Sequence, residues 1–197
     1  VLRKLDCNLM AASLTINDLN EYSEKLEELV EDVNSYSTFV ETGTSYGASI
    51  QSVYQYFEKM WTVELSDELY AYGKRVTDQI PHCTHVKGDS LIELPKYLQD
   101  LTTEEKVFFW LDAHYSSMNT ARNHLDCPLI EECVAIDKNY QGDSAIVVID
   151  DVRLFGTNEN EDWSYISEEG VQNSFENFEI KFYEIVNDRL LLYIVKK

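Results

Sequence analysis

The sequence predicts an α/β protein: a doubly wound, mostly parallel seven-stranded sheet with a C-terminal antiparallel hairpin and an N-terminal helical extension. Three observations predict it. From Thr38 onward, short apolar runs alternate with longer stretches of helical periodicity. Two of those runs, residues 107–111 and 145–149, are apolar throughout, as strands covered on both faces are. The last two runs, residues 178–186 and 190–195, meet near Asn187-Asp188, a pair suited to a hairpin turn.

Each element has its own signal. Residues 13–33 read as one or two helices, with Leu26, Leu29, Val30 and Val33 at helical spacing among Glu and Asp. Residues 38–41 form the first strand, and residues 48–59 a helix with Ile50, Val53, Tyr54 and Phe57 on one face. Residues 61–65 form the second strand. The helix over 67–79 is capped by Ser66 and turns Leu69, Tyr72 and Val76 inward. A third strand at 84–87 leads to a helix at 90–98. After the fourth strand, residues 128–138 form a helix with Pro128 in its first turn, followed by the fifth strand. Residues 162–173 are expected to hold a further helix. No repeat, low-complexity tract or linker divides the chain, so 1–197 is expected to be one domain: a helical segment over 1–35 and a core over 36–197. One long irregular stretch, residues 113–127, directly follows the fourth strand; loops of that length are usually functional or disordered.

Bulk properties narrow the function classes. At 197 residues and 44% apolar, the chain is long enough for one real core. No stretch reaches the roughly 18 to 20 apolar residues of a membrane span. A formal charge of −20 repels phosphate backbones and anionic membranes, so neither nucleic acid nor membrane is an expected partner. Four cysteines, Cys7, Cys83, Cys127 and Cys133, are too few for a disulfide framework and read as free thiols in a reducing, cytoplasmic setting. His82-Cys83-Thr84-His85 lacks a second ligand pair at zinc-site spacing and reads as a loop after Pro81. Oligomeric state is open, a homodimer through the N-terminal helices being one option.

The chemistry-bearing residues fall at strand ends. Glu41, Gly43, Thr44, Ser45 and Gly47 follow the first strand and open a helix. Gly43 permits a tight turn and close approach of a ligand, and Gly47 lets the helix start close to the sheet. A dinucleotide turn has three glycines; here there are two, preceded by an acid that repels a pyrophosphate. That acid suits an ammonium group, such as the one on the methionine part of S-adenosylmethionine. A turn with no ligand is the bland alternative. Glu64, with Leu65 beside it, ends the second strand, where an acid can accept hydrogen bonds from both ribose hydroxyls. Asp89 and Ser90 end the third strand, placed to meet an adenine, although Asp89 equally suits a helix N-cap.

Asp112 follows the fourth strand, and Asp150 and Asp151 follow the fifth. Three carboxylates at one sheet edge repel each other unless a cation sits among them. Oxygen ligands suit Mg²⁺, Mn²⁺ or Ca²⁺, which lower the pKa of a bound hydroxyl. The alternative is that Asp150 and Asp151 merely cap a loop. His114 is the candidate general base, with metal ligation as its other reading and Tyr115 and His124 as lesser competitors.

This order of motifs resembles the class I S-adenosylmethionine-dependent methyltransferases, and within them the metal-dependent O-methyltransferases of catechol and sugar type. The resemblance runs from about Phe39 to Asp151 and implies a Rossmann-like core. It implies that Glu41 to Gly47, Glu64, Leu65, Asp89, Ser90 and Asp112 bind the cofactor, and that Asp112, Asp150 and Asp151 hold the metal. Pro128 to Cys133 resembles the helix leading to strand five. The catalytic base departs: the catechol enzymes' lysine position holds Tyr115, and the sugar enzymes' acid position holds His114. The expected function is methyl transfer to a hydroxyl of a small molecule such as a sugar or polyol. A non-catalytic S-adenosylmethionine-binding module and a nicotinamide-dependent oxidoreductase are the alternatives.

Overall fold

The computed structural model describes residues 13–114, 126–159 and 161–197. Cys7, Tyr115 and His124 lie outside the described residues, as does most of the irregular stretch after the fourth strand. Seven strands form one sheet in the order β3-β2-β1-β4-β5-β7-β6. They are β1 (Thr38–Thr42), β2 (Lys59–Glu64), β3 (Cys83–Lys87), β4 (Val107–Leu111), β5 (Ser144–Ile149), β6 (Phe178–Val186) and β7 (Arg189–Lys196). The first five run parallel; β7 pairs antiparallel with both β5 and β6. This is the predicted doubly wound sheet with its closing hairpin.

The helices are α1 (Ile16–Leu26), α2 (Ala48–Val53), α3 (Asp67–Thr77), α4 (Ser90–Gln99), α5 (Leu129–Asn139) and α6 (Glu168–Asn173). Strands β1, β4 and β5 are buried along their whole length, because helices cover both faces. One core cluster gathers Val40, Phe109, Val147, Leu94 and Ile136. The other gathers Phe39, Phe108, Ile146, Ile50 and Leu26. Alternate residues of each strand feed alternate clusters, as the pleat requires.

Three elements differ from the sequence expectation. The helix after β1 stops at Val53 and tightens into a 3₁₀ turn, because the chain must straighten at Phe57 to enter β2. The helix expected over 162–173 spans only Glu168–Asn173. Upstream of it, Asp162 bonds the backbone N–H and hydroxyl of Ser164, and Ser167 caps the helix through the Gly170 N–H. In α3, Tyr72 is exposed while Gly73 and Thr77 are buried. A Cβ on Gly73 would lie 2.9 Å from the Ser45 carbonyl oxygen, so the helix turns its smallest residue to the β1–α2 loop.

Register aligns the C-terminal ends of three neighbouring strands. Thr42 pairs with Leu111, and Leu111 with Ile149. The residues just beyond, Gly43, Asp112 and Asp150, therefore emerge together at one sheet edge.

Candidate active site

The β1–α2 loop is built around a close backbone approach. Gly43 has φ +85°, and a Cβ there would sit 2.5 Å from the Asp112 carbonyl oxygen. The glycine is demanded by the β4 loop as well as by the turn. Gly47 (φ +77°) is the N-cap of α2 and faces Val76 of α3. Ser45 also takes a left-handed conformation, at φ +49°.

Thr44 of the loop and Glu41 of β1 are buried. Thr44 Oγ1 lies 2.5 Å from Thr62 Oγ1, which donates to Glu41 Oε2 at 2.6 Å. Burial raises the Glu41 pKa to about 8 against the help of Thr62, so its carboxyl is largely neutral at pH 7. Glu64 accepts from the backbone N–H groups of Ser45 (2.8 Å) and Ser66 (2.7 Å). Burial still raises its pKa, although the N–H groups of Ser66, Ser45 and Leu65 oppose that. Glu64 thus braces the glycine loop. Asp89 is the N-cap of α4, accepting from the Leu91 N–H at 3.0 Å. Ser90 is buried beside Glu132.

At the β4 and β5 ends, the structure brings Asp112, His114 and Asp151 together. One ligand atom from each lies within 4.8 Å of the others, a spacing that fits a metal ion. His114 Nε2 is 3.1 Å from Asp151 Oδ2 and 3.8 Å from Asp112 Oδ1. Its Nδ1 is 2.9 Å from Glu161 Oε2. Burial disfavours a charged imidazole, but hydrogen bonds to Asp151 and Glu161 outweigh it and raise the pKa to about 10. With both nitrogens donating, His114 holds a proton and has no lone pair to accept another. A base role requires it first to lose that proton. Asp112 is shifted well above the usual carboxylate range by burial and by Asp150 beside it. Asp151, despite burial, is held below that range by His114 and Arg153.

Asp150 faces a different partner. Its Oδ1 accepts from Arg189 Nε at 3.1 Å, and its Oδ2 is buried without a hydrogen-bond partner among the described residues. Burial raises its pKa to about 6 against the pull of Arg189. Arg189 also reaches Asp18 of α1 (2.8 Å) and the Ser13 carbonyl (3.2 Å), and lies over the Trp110 ring. Of the three acids read as metal ligands, Asp112 and Asp151 join the metal-like cluster with His114, while Asp150 sits beside it as the partner of a guanidinium. Asp151 adopts φ +63°, and Arg153 bonds both it and Asp188 of the β6–β7 turn.

Four contributors escaped the sequence reading. Glu161, Trp163, Glu132 and Arg189 all carry partners that are distant in sequence. Nothing local marks Glu161 among 36 acids. Trp163 donates its Nε1–H to Glu161 and packs edge-on to His114 at 5.3 Å. Together with Asp112, His114, Asp150 and Glu132 it borders a narrow cleft whose other walls include Leu111, Leu129 and Ile149.

No protein-family model matches the sequence, and no curated protein matches it. Its similarity is to solved structures. An S-adenosylhomocysteine-bound methyltransferase of Podospora anserina superposes with TM-score 0.55 at 13% identity, over 100% of this chain and 99% of that one. A candidate rRNA methylase of Clostridium thermocellum gives 0.58 at 16%, over 93% and 100%. Fibrillarin in complex with Nop5p gives 0.58 at 10%, over 89% and 79%. At such identities the likeness is one of fold: the chain has the Rossmann-like methyltransferase fold.

Proposed function

We propose that this chain is an S-adenosylmethionine-dependent methyltransferase that methylates a hydroxyl of a small molecule with a divalent cation at the β4–β5 edge. The observation that carries this reading is the Asp112–His114–Asp151 cluster backed by Glu161. A histidine whose second nitrogen donates to a carboxylate is the usual arrangement of a metal-ligating imidazole. Two carboxylates and one imidazole fit Mg²⁺ or Mn²⁺, with Mn²⁺ the better match to nitrogen. The ion, when bound, would lower the pKa of the acceptor hydroxyl.

The chain's own residues divide the remaining work. The glycine loop from Gly43 to Gly47, with Glu64 beneath it, would hold the methionine and ribose parts of the cofactor. Asp89 and Ser90 lie where the adenine would end. Methyl transfer forms a bond between the acceptor oxygen and the methyl carbon and breaks the bond from that carbon to sulfur. Sulfur keeps the electron pair, leaving S-adenosylhomocysteine. The hydroxyl proton would go to Asp150, which lines the same cleft as Asp112 and His114 and whose Oδ2 has no hydrogen-bond partner among the described residues. His114 would serve as a ligand in this scheme, rather than as the base, and binding an ion at Nε2 would first require it to release the proton held there.

Calorimetric titration with S-adenosylmethionine, with and without Mg²⁺ or Mn²⁺, tests the reading. Cofactor binding together with a saturable metal signal that is absent in Asp151→Ala is the expected result. No cofactor binding would overturn it; cofactor binding without any metal signal would leave a methyltransferase or binding module that uses no ion.

A further inference from the structure

Trp163 is fixed through its backbone, its ring and its neighbours. Its N–H donates to the Thr157 carbonyl at 2.9 Å, and its own carbonyl accepts from the Gly156 N–H at 3.1 Å. Asn158 and Asp162 pair antiparallel beside it. The residue is 3% exposed, with its ring stacked on Phe155 at 6.2 Å and edge-on to His114 at 5.3 Å. The flanking residues tie the same segment to the approach to α5. The Asp162 N–H donates to Asp126 Oδ2 at 3.0 Å. The Tyr165 hydroxyl donates to the Cys127 carbonyl at 2.7 Å and accepts from the Cys127 N–H at 3.2 Å.

The Glu161 carboxylate, by contrast, sits at the end of a flexible side chain, and holding it in one place costs rotamer freedom. Its Oε2 nevertheless meets both the Trp163 indole N–H and His114 Nδ1, each at 2.9 Å. The indole nitrogen is a donor with no lone pair, so the oxygen it meets must accept. That same oxygen then accepts from Nδ1 as well. Nε2 is left turned to Asp112 and Asp151, at 3.8 and 3.1 Å. The rigid indole thus supplies the fixed point from which the imidazole is aimed.

We propose that Trp163 is a positioning residue of the cation site. Its indole N–H locks Glu161 Oε2 where that oxygen orients His114, so a donor that is not itself a ligand sets how tightly the site binds an ion. This inference rests on the divalent-cation reading, since it names a residue that serves that site.

Trp163 touches His114 by its ring and Glu161 by its N–H, and Trp163→Phe separates the two: an aromatic ring stays against His114, and the donor is gone. Calorimetric titration with Mn²⁺ of the unaltered chain, Trp163→Phe, Glu161→Ala and the double variant tests the proposal. Trp163→Phe is expected to weaken Mn²⁺ binding by about three- to tenfold, the scale of one hydrogen bond, with S-adenosylhomocysteine affinity unchanged. In the Glu161→Ala background the same substitution should change Mn²⁺ affinity by less than about twofold, because the indole then has nothing to hold. Unchanged Mn²⁺ affinity in Trp163→Phe, losses that add in the double variant, or an equal loss of S-adenosylhomocysteine affinity would each overturn the proposal. Should Trp163→Phe fail to fold, hydrogen exchange of the Trp163 indole N–H in the unaltered chain decides: Mg²⁺ should slow it, and exchange indifferent to Mg²⁺ would overturn the proposal. No Mn²⁺ signal from the unaltered chain would strike the cation reading and this inference together. A Mn²⁺ signal that Trp163→Phe leaves intact would remove this inference alone.

Discussion

Glu161 Oε2 lies 2.9 Å from His114 Nδ1, across 47 residues of sequence, and receives the Trp163 indole N–H at the same oxygen. The pair fixes which way the imidazole faces, leaving Nε2 toward Asp112 and Asp151. Glu161→Gln should therefore weaken Mn²⁺ binding by about 10- to 100-fold, the usual cost of losing such a partner. The His114 pKa should fall from about 10 as one of its two carboxylates disappears. Calorimetry reads the first and NMR titration of the imidazole the second. An unchanged metal affinity would remove Glu161 from the site.

Cofactor and metal roles separate by residue. Asp112→Ala and Asp151→Ala should abolish metal-stimulated methyl transfer while S-adenosylmethionine affinity stays within about threefold, below the tenfold that a 1.4 kcal/mol loss gives. Glu64→Ala should do the reverse, since it strips the glycine loop of the acceptor for the Ser45 N–H. Calorimetry on all three variants decides; matching affinity losses would contradict the division.

Gly43→Ala should destabilise the fold by about 3 kcal/mol or more, combining left-handed strain with a forced backbone shift. The added methyl would meet the Asp112 carbonyl at 2.5 Å. Gly156→Ala is the control: φ is +74° there too, but nothing lies within 4 Å of the new atom. It should cost only about 1–2 kcal/mol. Urea denaturation of both variants compares strain alone with strain plus contact.

Glu41 sets a pH signature. Its pKa rises from 4.5 to about 8 on folding, chiefly through burial. Between those values the folded chain binds the extra proton, so this group's contribution is full below pH 4.5 and is lost as pH rises through 8. Glu41→Gln should flatten that loss: little change at pH 5, and greater stability than the parent at pH 9. Denaturation midpoints at the two pH values measure it, and parallel curves would show that Glu41 ionises freely.

How much of this was legible in the sequence depends on the distance over which each signal acts. Runs such as Val107–Leu111 disclose their strand because burial on both faces needs only local composition. The glycine loop was legible for its turn, but the reason Gly43 admits no side chain lies in the Asp112 carbonyl, 69 residues away. Asp112 and Asp151 were found because strand ends are recognisable. Asp150 was grouped with them by adjacency, yet consecutive residues after a strand diverge, and it meets Arg189 instead. The inward assignment of Tyr72 followed helical spacing, which cannot register that Gly73 must face Ser45. Glu132 and Glu161 carry no local mark at all; only the folded chain distinguishes them from the surface acids.

Arg189 supplies a last prediction. It is 5% exposed and satisfies Asp150 and Asp18 together. Arg189→Ala would leave two acids without their cation and should cost about 3–5 kcal/mol, as breaking a buried ion pair does. Thermal or urea denaturation measures this, with Arg189→Lys expected to recover part of the loss. A cost below 1 kcal/mol would mean that the acids are easily neutralised or hydrated.

The same guanidinium makes the first helix part of the electrostatics of the sheet edge. Asp18 and the Ser13 carbonyl take up two of its nitrogens, which fixes the direction from which the third meets Asp150. Cutting the chain between Ser13 and α1's end would free those nitrogens to turn on Asp150 and alter the charge balance around Asp112 and Asp151. Truncation there would act as a change of counter-ion at the reactive edge, even if every strand stayed in register.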